Sequence, residues 1–117
     1  MERPTLIVIT GATASGKTSL AIDVASRLGC HIISADSRQI YRGIPIATAA
    51  PSSRQLAEVP HHFVGILGLD EYYSAAQFET DVMALLPRLW NENRYAVMCG
   101  GSMMYVDAVT RGLDELP

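Results

Sequence analysis

Lysine is nearly missing from this chain: Lys17 is the only one, and the eight other basic residues are arginines. Acidic residues outnumber basic ones, 12 to 9. The resulting net charge of −3 excludes a broad nucleic-acid-gripping surface within these 117 residues, because phosphate backbones are held mainly by Lys and Arg. Cysteine is scarce as well. Cys30 and Cys99 have neither metal-ligand spacing nor the density of a disulfide framework, so both read as buried thiols. No apolar run approaches the ~20 residues of a membrane-spanning helix. Met1-Glu2-Arg3-Pro4 precedes only six strand-like residues before Gly11, too few for a signal-peptide core. There is no internal repeat and no low-complexity tract. A hydrophobic fraction of 49% with 18% charged residues is that of a folded domain. A soluble, cytoplasmic protein with no membrane partner is the expectation.

What is present alternates between two periodicities. Thr5-Leu6-Ile7-Val8-Ile9-Thr10 is short, nearly all apolar and β-branched, the pattern of a strand buried on both faces. Leu20, Val24 and Leu28 then recur at helical spacing, with Gly29 as a stop. A second short strand is predicted over residues 31–35, ending at Asp36. Residues 37–60 are punctuated by Gly43, Pro45, Pro51 and Pro60, with a brief helix predicted over 52–58 and an extended segment over 61–67. Ser74-Ala75-Ala76-Gln77 has the form of a capping box, and Phe78, Val82, Leu85, Leu86 and Leu89 continue a helical stripe that Pro87 should kink or divide. Tyr95-Ala96-Val97-Met98-Cys99 reads as another buried strand, closed by Gly100-Gly101. Ser102 should cap a last helix from Met103 to about Arg111, stopped by Gly112. Such alternation predicts an α/β domain with a parallel sheet flanked by helices. Three or four strands are few for a doubly wound sheet, so residues 1–117 are expected to be the N-terminal part of a longer catalytic domain.

The motif that carries chemistry lies between the first strand and the first helix. Gly11-Ala12-Thr13-Ala14-Ser15-Gly16-Lys17-Thr18 fits G-x-x-x-x-G-K-[ST], a P-loop. The glycines let the backbone wrap closely and aim its N–H groups at phosphate oxygens. The helix that follows adds its unsatisfied N–H groups and partial positive charge. Lys17 supplies a mobile point charge, and the Thr18 hydroxyl suits Mg²⁺. The motif alone accepts a nucleotide or another diphosphate. An ordinary NTPase would add an aspartate after a later apolar strand, but the strand over 95–99 ends in Gly-Gly. The acid stands instead after the second strand, as Asp36. There it would face the ligand side of a parallel sheet as a general base or metal-supporting group; a turn aspartate capping residues 37–39 is the structural alternative.

Smaller signals read mostly as structure. His61 and His62 are adjacent on an extended segment, so their side chains should point to opposite faces rather than share a metal. Met98, Met103 and Met104 read as core and pocket filling. Tyr72, Tyr73 and Trp90 could stack on bases or pack helices. Arg38 and Arg42 are candidates for RNA phosphate contacts or solvated loop charges.

The P-loop together with Ser34-Ala35-Asp36-Ser37-Arg38-Gln39-Ile40-Tyr41 resembles the tRNA dimethylallyltransferase (isopentenyltransferase) family. The resemblance continues through Ala47-Thr48-Ala49, Pro60-His61-His62-Phe63, Tyr73-Ser74-Ala75-Ala76-Gln77-Phe78 and Gly100-Gly101-Ser102-Met103-Met104-Tyr105. It implies a P-loop NTPase-like fold, cut short relative to the family's. It also implies transfer of the dimethylallyl group from dimethylallyl diphosphate to the N6 amine of the adenosine beside the tRNA anticodon. Under it, residues 11–18 hold the diphosphate, with Thr13 and Lys17 acting in catalysis and Mg²⁺ as cofactor near Thr18. Asp36 is the general base, and Asp36, Ser37, Arg38, Gln39 and Ser102 contact the tRNA anticodon stem-loop.

The chain departs from the family at Ala12, where Pro is common, and at Ala50, where a lysine is frequent. Gly65, Gly68 and Leu69 stand where acidic and proline residues are frequent. The family's helical tRNA-binding insertion and a downstream arginine are not among these residues. Residues 1–117 alone should therefore be inactive, and the full-length enzyme a monomer. A P-loop small-molecule kinase using ATP, and a phosphate-binding module without turnover, are the alternatives.

Overall fold

The computed structural model describes residues 3–10, 17–36, 59–63 and 73–114, with the backbone only at Lys17, Thr18 and Asp114. Among these residues there are four strands, β1 (Thr5–Ile9), β2 (Ile32–Ser34), β3 (His61–His62) and β4 (Tyr95–Cys99), and three helices, α1 (Lys17–Leu28), α2 (Ala75–Glu92) and α3 (Met103–Asp114). The strands form one sheet in the order β1-β4-β2-β3, and every pairing is parallel. This is the α/β architecture with a parallel sheet that the alternating periodicities predict. The candidate helix over 52–58 and the extension over 64–67 lie outside the described residues.

β4 is the central strand, and its sequence explains why. All but Tyr95 of its residues are buried. Ala96 and Met98 face one core with Ile33 and Ala35, while Val97 and Cys99 face the other with Ile32. Alternate side chains point to opposite sides of a strand, so a strand covered on both faces must be apolar throughout. β1 was expected to match it but lies at the edge of the described sheet, with Val8 37% exposed. A continuous apolar run is shared by central and edge strands alike, so composition could not separate them.

α2 and α3 pack together on one face. α2 opens on the capping box: the Gln77 N–H donates to Ser74 Oγ (3.1 Å), and the Ser74 N–H donates to Gln77 Oε1 (2.9 Å). Phe78, Val82, Leu86 and Leu89 are its buried stripe, with Leu85 partly buried beside them. Phe78 stacks on Tyr105 of α3 at 4.6 Å and meets Phe63 edge-on at 5.3 Å. Trp90 donates from its indole N–H to the Thr5 carbonyl (3.2 Å), which gives it a packing role. Tyr73 does likewise, donating its hydroxyl to Asp81 while its carbonyl accepts from Tyr105.

Of the two outcomes expected at Pro87, a kink or a division, division does not occur: Pro87 sits inside α2 with an exposed side chain. Proline removes a single N–H, and the ten or more other bonds of an 18-residue helix outlast that loss. α3 runs past Gly112, its expected stop, to Asp114. Gly112 is buried beside the Glu79 side chain of α2, whose Oε2 lies 3.0 Å from where a Cβ would stand, and the helix continues through it rather than ending there.

α1 covers the opposite face. Gly29 ends it at φ +68°, a left-handed conformation that glycine adopts without strain. Its buried side is Ala21, Ile22 and Ala25, with Val24 and Leu28 partly buried, whereas Leu20 is 53% exposed. The small alanines are what face the sheet, a choice that periodicity of large residues does not reveal. Asn93 joins this helix to β4: its side-chain amide donates to the Leu28 and Gly29 carbonyls (2.8 and 3.0 Å), and its Oδ1 accepts from the Tyr95 N–H (2.9 Å). Cys30 and Cys99 are both buried, and burial pushes the Cys30 thiol above its ordinary value. Among the described residues no helix is long and apolar enough to cross a membrane.

Candidate active site at the carboxyl edge of the sheet

Parallel strands end at one edge, and in such sheets that edge is where ligands bind. The register makes the three relevant ends level: Ile9 pairs with Cys99, and Cys99 with Ser34. From Ile9 the chain enters the P-loop, and α1 begins at Lys17, so the motif's lysine stands at the N-terminus of that helix. From Ser34 it passes through buried Ala35 to half-buried Asp36. From Cys99 it passes through Gly100 and Gly101 to Ser102, whose carbonyl accepts from the Tyr105 and Val106 N–H groups and opens α3. Two helix N-termini, each with partial positive charge, therefore begin at the edge that carries Asp36.

The order β1-β4-β2 sets the spacing. The loop strand and the Asp36 strand are not neighbours; β4 lies between them. Two strand spacings amount to about 10 Å. Between the two strands, β4 ends at the Gly100-Gly101 pair. A network of backbone hydrogen bonds holds the three ends: the Gly100 N–H donates to the Ile9 carbonyl (3.2 Å), the Ala35 N–H to the Cys99 carbonyl (2.9 Å) and the Ser102 N–H to the Ala35 carbonyl (3.2 Å).

Of the residues singled out by sequence, the structure brings Asp36 and Ser102 to this edge and starts α1 there at Lys17. Gly11, Ala12, Thr13, Ala14, Ser15 and Gly16 lie outside the described residues, as do Ser37, Arg38, Gln39 and Arg42. So do the side chains of Lys17 and Thr18. Among the described residues no group of three or more His, Cys, Asp and Glu could hold a metal ion. Met103 and Met104, read as core or pocket filling, are 50% and 76% exposed at the start of α3; only Met98 is core. A helix's first turn protrudes past the sheet it packs on, and the apolar type of a residue cannot show that.

The histidines lie at the opposite end of the strands. His31, just before β2, and His62 of β3 share a hydrogen bond between Nδ1 and Nε2 (3.0 Å), while His61 Nδ1 donates to the Val59 carbonyl (2.7 Å). Burial lowers the pKa of both His61 and His62, and for His62 the neighbouring charges of His31, His61 and Arg88 lower it further. The opposite orientation of His61 and His62 was legible in the sequence. The partner His31, 31 residues away, was not.

The sequence model of the IPP transferase family matches residues 39–117. The chain belongs to that family. IPP transferase relatives resemble it over its whole length. It is 50% identical over 117 residues to a tRNA dimethylallyltransferase of Bacteroides fragilis, spanning 39% of that protein. Over 113 residues it is 53% identical to one of Porphyromonas gingivalis, spanning 38%. Among solved structures, the full-length tRNA isopentenylpyrophosphate transferase of Bacillus halodurans superposes with a TM-score of 0.88 at 34% identity, covering 98% of this chain and 38% of that one. A eukaryotic dimethylallyltransferase captured acting on tRNA superposes at 0.82 with 26% identity, covering 92% and 26%. The chain thus spans about two-fifths of the length of its curated IPP transferase relatives, and its fold is the P-loop NTPase-like fold of those enzymes.

Proposed function

We propose that these residues form the diphosphate- and base-bearing part of a tRNA dimethylallyltransferase. The enzyme would transfer the dimethylallyl group of dimethylallyl diphosphate to the N6 amine of the adenosine adjacent to the anticodon. One observation carries the reading: Asp36 and the start of α1 at Lys17 stand at the same sheet edge, with the end of β4 between the strands that lead to them. A strand separation of about 10 Å suits a substrate whose leaving group is gripped at one end while its carbon is attacked near the other. An ATP-dependent kinase would use the same loop, but the similarity to dimethylallyltransferases along nearly all of this chain favours the prenyl donor.

The chemistry follows from these groups. The allylic C–O bond breaks, and its electron pair leaves with the diphosphate, whose growing negative charge is met by Lys17 and the N–H groups of residues 11–18. A new bond forms between N6 and the allylic carbon. The amine proton passes to the Asp36 carboxylate, which makes a poor nucleophile competent. The adenine must leave its stack to reach the site, and Ser37, Arg38, Gln39 and Ser102 would hold the anticodon loop. No carboxylate cage is present among the described residues, so Mg²⁺ would rest on the Thr18 hydroxyl and on diphosphate oxygens, an oxygen-only set that suits it. When bound it neutralises charge on the leaving diphosphate.

The test is prenyl transfer to an anticodon stem-loop by the complete reading frame containing these residues. Asp36→Asn should lower kcat by about 10²–10⁴-fold with substrate binding retained. Lys17→Ala should weaken dimethylallyl diphosphate binding as well as turnover. Transfer by residues 1–117 alone, or full-rate turnover by Asp36→Asn, contradicts the proposal.

A further inference from the structure

Gly100 occupies a junction where no other residue type fits. A Cβ built there would lie 2.1 Å from the Ala35 oxygen, 2.4 Å from its carbonyl carbon and 2.9 Å from its Cα. All three are backbone atoms, so no side-chain rotation can relieve the contact. Ala35 cannot easily yield either. It is fully buried, its N–H is held by the Cys99 carbonyl and its carbonyl by the Ser102 N–H. Those two partners bracket the Gly100-Gly101 pair in the chain, so Gly100 sits inside a clasp that fixes the residue immediately before Asp36. Its own N–H is tied to Ile9, the last residue of the strand that leads into the P-loop.

We propose that Gly100 is a positioning residue for the reaction, setting the place of Asp36 relative to the carboxyl end of β1 at Ile9 through the Ala35 backbone. The inference rests on the reading of Asp36 as the general base. Steric logic supplies the magnitude. Cβ atoms essentially never come within 3.0 Å of another atom, so an added methyl at 2.1 Å must open the clasp by 0.9 Å or more. Asp36 is one peptide unit away and moves with it. A displacement of about 1 Å at a reacting group can cost about 100-fold in rate.

The experiment is a double-mutant cycle on the enzyme from the complete reading frame, with kcat and KM measured for dimethylallyl diphosphate. Gly100→Ala should lower kcat by about 100-fold while KM stays within about threefold, since the loop itself is unaltered. In the Asp36→Asn background the same substitution should change kcat by less than about threefold, because a residue that acts through Asp36 has nothing left to position. An equal loss in both backgrounds would show that Gly100 acts elsewhere and would overturn the inference, as would a Gly100→Ala enzyme with near-normal kcat. Full-rate turnover by Asp36→Asn alone would remove the base reading itself, an outcome distinct from the other two. Should Gly100→Ala fail to fold, Asp36→Glu asks the same question, moving the carboxylate by one methylene, about 1.5 Å. It should lose about 100-fold in kcat with KM retained, and wild-type turnover by this variant would overturn the ångström-level requirement.

Discussion

Acid should loosen one corner of this fold through the His31–His62 pair, and the size of the effect can be worked out. All three histidines of the chain gather there, so nothing else with an ordinary pKa near 6.5 titrates between pH 7.5 and 5. The shared hydrogen bond needs one neutral ring, and β3, only two residues long, has little other pairing to hold it. With both rings charged, two imidazolium centroids 5.2 Å apart repel by about 3 kcal/mol at an effective dielectric of 20 and about 0.8 kcal/mol in bulk water. Half-buried rings fall between these limits, but a ring that stays neutral at pH 5.0 caps the linked loss at about 2 kcal/mol, so about 1–2 kcal/mol is expected. The charges that bear on the pair are His61 beside it on β3, Arg88 of α2, which adds to the repulsion, and Glu92, which shares a recess with His31.

The sign follows from the direction of the shifts. His61 and His62 have lowered pKa values in the folded chain, so between those values and the unfolded value near 6.5 the unfolded chain binds more protons. Stability is then complete above about pH 7 and is lost as pH falls below 6.5. Urea unfolding followed by Trp90 fluorescence at pH 7.5 and 5.0 measures it. His31→Gln should stay within about 1 kcal/mol of the parent at pH 7.5, since one neutral hydrogen bond is at stake. Its loss on acidification should be smaller than the parent's by the amount just derived. Equal acid losses in parent and variant would refute the reasoning.

Asn93→Ala removes three hydrogen bonds between the end of α1 and β4, and should cost about 2–3 kcal/mol in urea unfolding. Phe78→Ala empties a fully buried site stacked on Tyr105 and should cost about 3–5 kcal/mol, a large share of a small domain's stability, visible as a lower urea midpoint or as failure to fold. Pro87→Ala restores a backbone donor inside α2 at an exposed position and should raise the thermal midpoint, with a gain of up to about 3 kcal/mol; a fall would show that the ring itself packs usefully.

Much of this protein was settled by local chemistry that sequence displays. The P-loop pattern needs only eight adjacent residues. The Ser74–Gln77 capping box is complete within four, and the buried stripe of α2 repeats at the period of the helix itself. Apolar β4 announced a strand covered on both faces. Tertiary structure alone decided what depends on which elements become neighbours. β1 and β4 look alike as runs, yet among the described strands one is an edge and the other lies inside, because strand order is set by packing between distant elements. The same order puts β4 between the strand that leads to residues 11–18 and the strand that leads to Asp36. Gly100 does close β4, as the sequence indicates, but its close fit against the Ala35 backbone is visible only in three dimensions; Gly112 looked like a helix stop, yet α3 runs past it to Asp114. His31 gave no sign of meeting His62, since a contact across strands leaves no periodic trace in either. What reads locally can be inferred from neighbours along the chain; what reads only in three dimensions is where the chain meets itself.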